Sequence, residues 1–289
     1  MQILHLLLLV LSLACGITKN VVSKAADGYY SRLDSLMTSN MFTACLALTV
    51  YFASGFEPSL LANPLFLLMA LCYGLLTLGS TSFYIVAVKD GAVSVCALIY
   101  ASCFIIPTVF SAFYDGEPLH LPKAVGIVLM LISILAVSFK KDGTGGKKQI
   151  VFAVLAMLCA GCVGIMQKTF GNVFGAENIN GYLFASFFFM LVSSFIIKAA
   201  ISKGGEKGAK PSRKQLVCIL LLAISLVFAN KINIFLAGAL PGIIFFPVIN
   251  GGTVMCSAVI SGIAFGEKIS RLAFAGIVLG ISAMVLIAM

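Results

Sequence analysis

Tryptophan is absent from this 289-residue chain, and charge is scarce: 10% of residues are Asp, Glu, Lys or Arg, against 61% hydrophobic. A soluble domain carries about 25% charged residues. The polar groups here cannot cover a water-facing globule, so lipid is the solvent that fits a mean hydropathy of +1.12. Acids are the scarcest charge, 10 Asp and Glu against 19 Lys and Arg, and there are only two histidines, the isolated His5 and His120. No acid lies deep in an apolar run, so a buried carboxylate proton relay is not offered. No metal-ligand spacing, glycine-rich phosphate loop or nucleophile triad occurs. That removes the candidates for metal chemistry, ATP-driven pumping and acyl transfer, and no cofactor is expected.

The formal charge is +9. In a soluble protein that balance would prompt a test of nucleic-acid binding. Here the lysines collect between apolar segments, where they report membrane orientation, and no nucleic-acid partner is expected. The nine cysteines all sit inside apolar stretches and act as small hydrophobes rather than a disulfide framework. Cys159-Ala-Gly-Cys162 has CxxC spacing without the strand–helix setting of a redox motif. The first apolar run continues past Cys15 to Val22 with no basic stretch before it, which reads as a first membrane helix rather than a cleaved leader.

About 20 apolar residues span a bilayer core as a helix. Ten such segments separate, near 2–23, 36–54, 60–87, 91–113, 122–139, 149–170, 181–200, 215–236, 240–264 and 271–288. All read as helices, since an isolated strand leaves its backbone unpaired in hydrocarbon, and continuous runs exclude a β-barrel.

The chain also repeats itself. Shifted by 150 positions, Gly116-Glu117 falls on Gly266-Glu267, and Gly126-Ile127-Val128-Leu129 on Gly276-Ile277-Val278-Leu279. The same shift pairs Tyr100 with Asn250. The first helices align less well: Gly16 matches either Gly161 or Gly164. The expected organisation is one five-helix repeat at 1–139, a polar linker at 140–148 and a second repeat at 149–289. Five is odd, so the second repeat is inverted relative to the first; that is an architecture of secondary transporters, with the solute site near the midplane at the repeat interface.

On these residues the chain resembles the drug/metabolite transporter superfamily, specifically its EamA-type members. The resemblance implies ten helices in two five-helix repeats, each with Gly-Glu at the turn between its fourth and fifth helices and a glycine-rich fifth helix. It covers nearly the whole chain, and its short motifs indicate a superfamily and not a substrate. One departure is that first helices in this superfamily often carry a tryptophan before their glycine, where this chain has Cys15-Gly16. Another is that its small multidrug exporters use a first-helix carboxylate, where this chain has Lys19.

Fifteen of the 19 Lys and Arg fall in or beside the odd-numbered loops, and the even loops hold only Lys123. The positive-inside rule then puts both termini outside. The superfamily pattern implies both inside.

Intramembrane ionisable groups are functional candidates by default. Lys231 lies deep in the eighth segment between Asn230 and Asn233, its expected hydrogen-bond partners. Lys19 follows Gly16 and precedes Asn20. Gln167 and Lys168 close the sixth segment, where a lysine either lines a cavity or snorkels to the helix end. Tyr84, Tyr100, Asn250, Thr253 and Ser257 are further lining candidates, with interhelical hydrogen bonding as the structural alternative. Glu117 and Glu267 are expected to cap or pair at helix ends. Pro107, Pro241 and Pro247 are expected to break or kink helices, and Gly251-Gly252 and Gly276-x-x-x-Gly280 to let helices approach.

The functional expectation is a multi-pass plasma-membrane secondary transporter of a small organic solute, with the lysines favouring a carboxylate or phosphate. A multidrug efflux protein, a membrane-embedded lipid-modifying enzyme and a non-transporting scaffold are the competing classes.

Overall fold

Within hydrocarbon a chain must satisfy its own N–H and C=O groups, and long apolar runs do so as helices. The computed structural model describes residues 3–25, 33–89, 93–138, 147–203, 211–265 and 270–288. They form α1 (Ile3–Ala25), α2 (Leu33–Ala53), α3 (Pro64–Lys89), α4 (Val93–Ala101), α5 (Ile105–Tyr114), α6 (Leu121–Ser138), α7 (Lys147–Phe174), α8 (Ile179–Lys203), α9 (Arg213–Ala239), α10 (Gly242–Phe265) and α11 (Arg271–Ala288). No strand occurs among the described residues. Eight stretches are long and apolar enough to cross a membrane, α4 and α5 counting as one, Val95–Tyr114. The other two, α6 and α11, have 18 residues each, about 27 Å at 1.5 Å per residue and close to a bilayer core. The fold is therefore all-α and of multi-pass membrane type. Phe113, Leu121 and Ile263 point their large apolar side chains outward, as lipid contact requires.

Local chemistry places the ends. Pro64 opens α3, and the Asn63 side chain accepts the N–H groups of Leu65 and Phe66. Ser212 and Gln215 form a capping box at the start of α9. A 3-10 turn at Ser102–Phe104 separates α4 from α5. It lies just before Pro107, which has no N–H to return to the preceding turn. Pro241 precedes α10, whereas Pro247 sits inside α10 without ending it. α2 begins earlier than its apolar run, so Asp34 is buried in its first turn, where a carboxylate suits the helix dipole.

α1 packs on α9 and α10, α7 on α3 and α5, α2 on α8 and α6 on α11. Small residues make the closest contacts. Ser133 donates to the Gly276 carbonyl at 2.7 Å across the α6–α11 contact. A methyl on Gly74 of α3 would stand 2.5 Å from the Ser186 carbonyl of α8. Gly251 and Gly252 receive Met130 and Leu13, and Gly280 receives Met255, the close packing expected of them. Two apolar masses result. One joins α2, α3 and α8, with Tyr51, Phe66 and Tyr182 fully buried. The other joins α6, α10 and α11 around Met130, Ile134 and Phe245. Most polar groups of interest lie on the helices between them.

Helix ends gather at two faces. The turns at Gly55, Asp115 and Pro241 share one face, tied by Asn180 to Gly55 and by Glu117 to Gly242. We call it the Glu117 face. At the opposite, lysine-rich face, Lys198 donates to Thr38 at 2.7 Å, and Val22 and Ala25 pack on Cys218 and Ile219.

Gly74→Ala is expected to cost about 1–3 kcal/mol because the opposing atom is backbone and cannot swing away. Gly181→Ala, whose new methyl would lie 3.4 Å from Phe56, is expected to leave stability nearly unchanged. Thermal unfolding of both variants in detergent checks the contrast.

Candidate functional site

The candidate residues occupy three levels of one seam. Nearest the Glu117 face, α7 runs on to Phe174, so Lys168 lies inside the helix rather than at its end. The lysine does not snorkel outward. It is buried, 3.0 Å from the Glu117 carboxylate and 3.8 Å from Asp115, and it donates to the Leu240 carbonyl at 3.0 Å. The two oxygens of Glu117 accept the first N–H groups of α10, from Gly242 at 2.8 Å and Ile243 at 2.9 Å. Glu117 thus caps and pairs at once, the role expected of it; Glu267 lies outside the described residues. Asn172 donates to Asp115 at 2.9 Å. Beside this cluster α7 and α9 cross at Gly171 and Gly238, whose backbones leave no room for a side chain.

At the middle level, Tyr73 of α3 donates to the Asn230 side-chain oxygen at 2.5 Å and accepts from Gln167 at 3.2 Å. Asn230 also donates to the Leu226 carbonyl. Asn233 accepts from Ser12 of α1. The two asparagines flanking Lys231 therefore bond to α3, α1 and their own helix rather than to the lysine. Lys231 is half-buried and has no hydrogen-bond or ion-pair partner among the described residues.

Toward the lysine-rich face, Gly16 of α1 receives Thr253 of α10, and Asn20 donates to Ser257 at 3.0 Å. Lys19 is half-buried, within electrostatic reach of Cys103 at the α4–α5 junction. It too has no hydrogen-bond or ion-pair partner among the described residues. Tyr84 and Tyr100 stand with ring centroids 5.0 Å apart, with Cys159 of α7 close to Tyr100. Asn250, matched to Tyr100 by the sequence shift, instead donates to the Phe246 carbonyl of its own helix at 2.9 Å.

Lys168 is thus neutralised, while Lys19 and Lys231, on the packed pair α1 and α9, have no counter-charge among the described residues. A membrane-embedded cation without a partner is costly, which sets these two lysines apart from Lys168. Residue types alone did not point to Ser12, Tyr73, Asp115 or Asn172. Tyr73 sits mid-helix with no polar neighbour in sequence, and its partners are 94 and 157 positions away. Among the described residues no group of three or more His, Cys, Asp or Glu could hold a metal ion.

No protein-family model matches the chain, and no curated protein matches it. A solved structure described as "Crystal structure of protein" is similar to it, with a TM-score of 0.77 and 15% identity over 99% of this chain and 96% of its own. At that identity the likeness establishes a shared fold.

Tyr73→Phe removes the hydroxyl that Asn230 and Gln167 share and leaves a buried and a half-buried amide short of a partner. The expected loss is about 1–3 kcal/mol, read as a lower denaturation midpoint in detergent, with Tyr114→Phe at the exposed end of α5 as the unaffected control.

Proposed function

We propose that this chain is a secondary transporter of a small anionic solute, built as two inverted five-helix repeats and related to the EamA-type drug/metabolite transporters. The observation that carries the reading is a pair of half-buried lysines, Lys19 and Lys231, without hydrogen-bond or ion-pair partners among the described residues, on the packed helices α1 and α9 of a membrane-spanning fold. A carboxylate or phosphate entering the seam supplies the missing counter-charge, and water accompanies the lysines when the seam is empty.

The helix pairings favour the inverted arrangement. Exchanging the first five spans for the second converts α1 on α9 into α7 on α3, and α1 on α10 into α7 on α5. The pairs α2 with α8 and α6 with α11 convert into themselves. A pseudo-two-fold axis lying in the membrane plane has this consequence, and the 150-residue shift of the Gly-Glu motifs is its counterpart in sequence. On this reading the lysine-rich face is the cytoplasmic one by the positive-inside rule, and the plasma membrane is the proposed location.

Flux into proteoliposomes tests the reading. A panel of small carboxylates and organic phosphates is expected to yield at least one saturable substrate. Lys19→Gln and Lys231→Gln are each expected to reduce its uptake by about tenfold or more, since one charge-assisted contact contributes about 1.5–3 kcal/mol. Saturable flux of cationic or neutral solutes alone, unaffected by both substitutions, would contradict it.

A further inference from the structure

The cluster at the Glu117 face joins parts of the seam that must separate if that end is to open. Glu117 comes from the turn after α5, Lys168 and Asn172 from α7, and the bonded N–H groups and the Leu240 carbonyl from the two sides of the α9–α10 turn. The Glu117 side chain is 12% exposed and that of Lys168 6%. A single carboxylate therefore meets a helix N-terminus and a cation together, both of which attract it. The crossing of Gly171 with Gly238 lies beside it. At the other end the arrangement differs. The exchange-equivalent helices of α7 and α9 are α1 and α3, and these have no comparable packing among the described residues. Asn20, near that end of α1, is exposed. Among the described residues, α7 and α9 are thus joined beside the Glu117 face, whereas α1 and α3 stand apart toward the lysine-rich face.

We propose that Glu117, by gripping the N-terminus of α10 and Lys168 together, is the latch that keeps the Glu117 face closed in this conformation. The inference rests on the transporter reading, but its test needs no substrate and so fails separately from the flux assay. When Lys168 or the α10 N-terminus moves away, the carboxylate loses its partners, α7 parts from α9, and α1 closes on α3.

The test is thiol labelling in nanodiscs, where both faces are open to a membrane-impermeant maleimide, on a background without the native cysteines. Gln167→Cys reports the sealed end and Asn20→Cys the parted end. Glu117→Gln is expected to raise labelling at position 167 by about fivefold or more, as a shift of population toward the alternative state requires, and to lower it at position 20. No change at either position, or a rise at both, would overturn the proposal, the second result marking Glu117 as an element of the fold and not a latch. The double exchange Glu117→Lys with Lys168→Glu is expected to stay open, because a lysine cannot accept helix N–H groups. Recovery of the closed pattern in that double variant would mean a plain ion pair and would overturn the capping role.

Discussion

Everything in this structure follows from hydrocarbon's refusal to hydrogen-bond. The backbone is forced into helices, and polar side chains are driven away from the lipid into the seam between helices. Once there, each must find a partner or stay wet. Most find one: Tyr73 with Asn230 and Gln167, Ser12 with Asn233, Asn20 with Ser257. Glu117 and Lys168 satisfy each other and a helix terminus. Lys19 and Lys231 are the exceptions among the membrane-embedded cations described, and the proposed function grows from them.

The energetic logic is one of contrast between three lysines of the same chemistry. Lys168 has a carboxylate at 3.0 Å and a carbonyl at 3.0 Å, so its charge is spent on holding the fold at one face. A buried pair of this kind adds little net stability, but removing one partner strands the other at a cost of several kcal/mol. That makes it suited to switching between two states. Lys19 and Lys231 have no such partner among the described residues. An anion exchanging with water at such a site would interact without first having to break an internal ion pair.

Much of the fold was legible in the sequence, because segment length and continuity are properties of the chain alone. The ten apolar runs coincide with the helices to within a few residues, and Glu117 takes the helix-end role its position suggested. Side-chain pairing was far less legible. Asn230 and Asn233 look like partners for Lys231 because they flank it, yet successive helical positions point to different sides, and each asparagine finds another helix. Lys168 looks like a snorkelling lysine because its apolar run stops early; polar Asn172 interrupts the hydropathy but not the helix. The break between α4 and α5 falls at Ser102–Phe104, ahead of Pro107 rather than at it. Contacts such as Glu117 with Gly242, separated by 125 positions, arise only when the helices are assembled.

In the proposed transport mechanism, two five-helix halves move against each other about a polar seam. Pulsed electron spin resonance on two label pairs tests it directly: Ser23 with Val86 across α1 and α3, and Val173 with Ala239 across α7 and α9. The account predicts two populations in each pair, with substrate or the Glu117→Gln substitution lengthening the α7–α9 distance while shortening the α1–α3 distance. A single fixed distance in both pairs under all conditions, or two distances that change in the same sense, would contradict it.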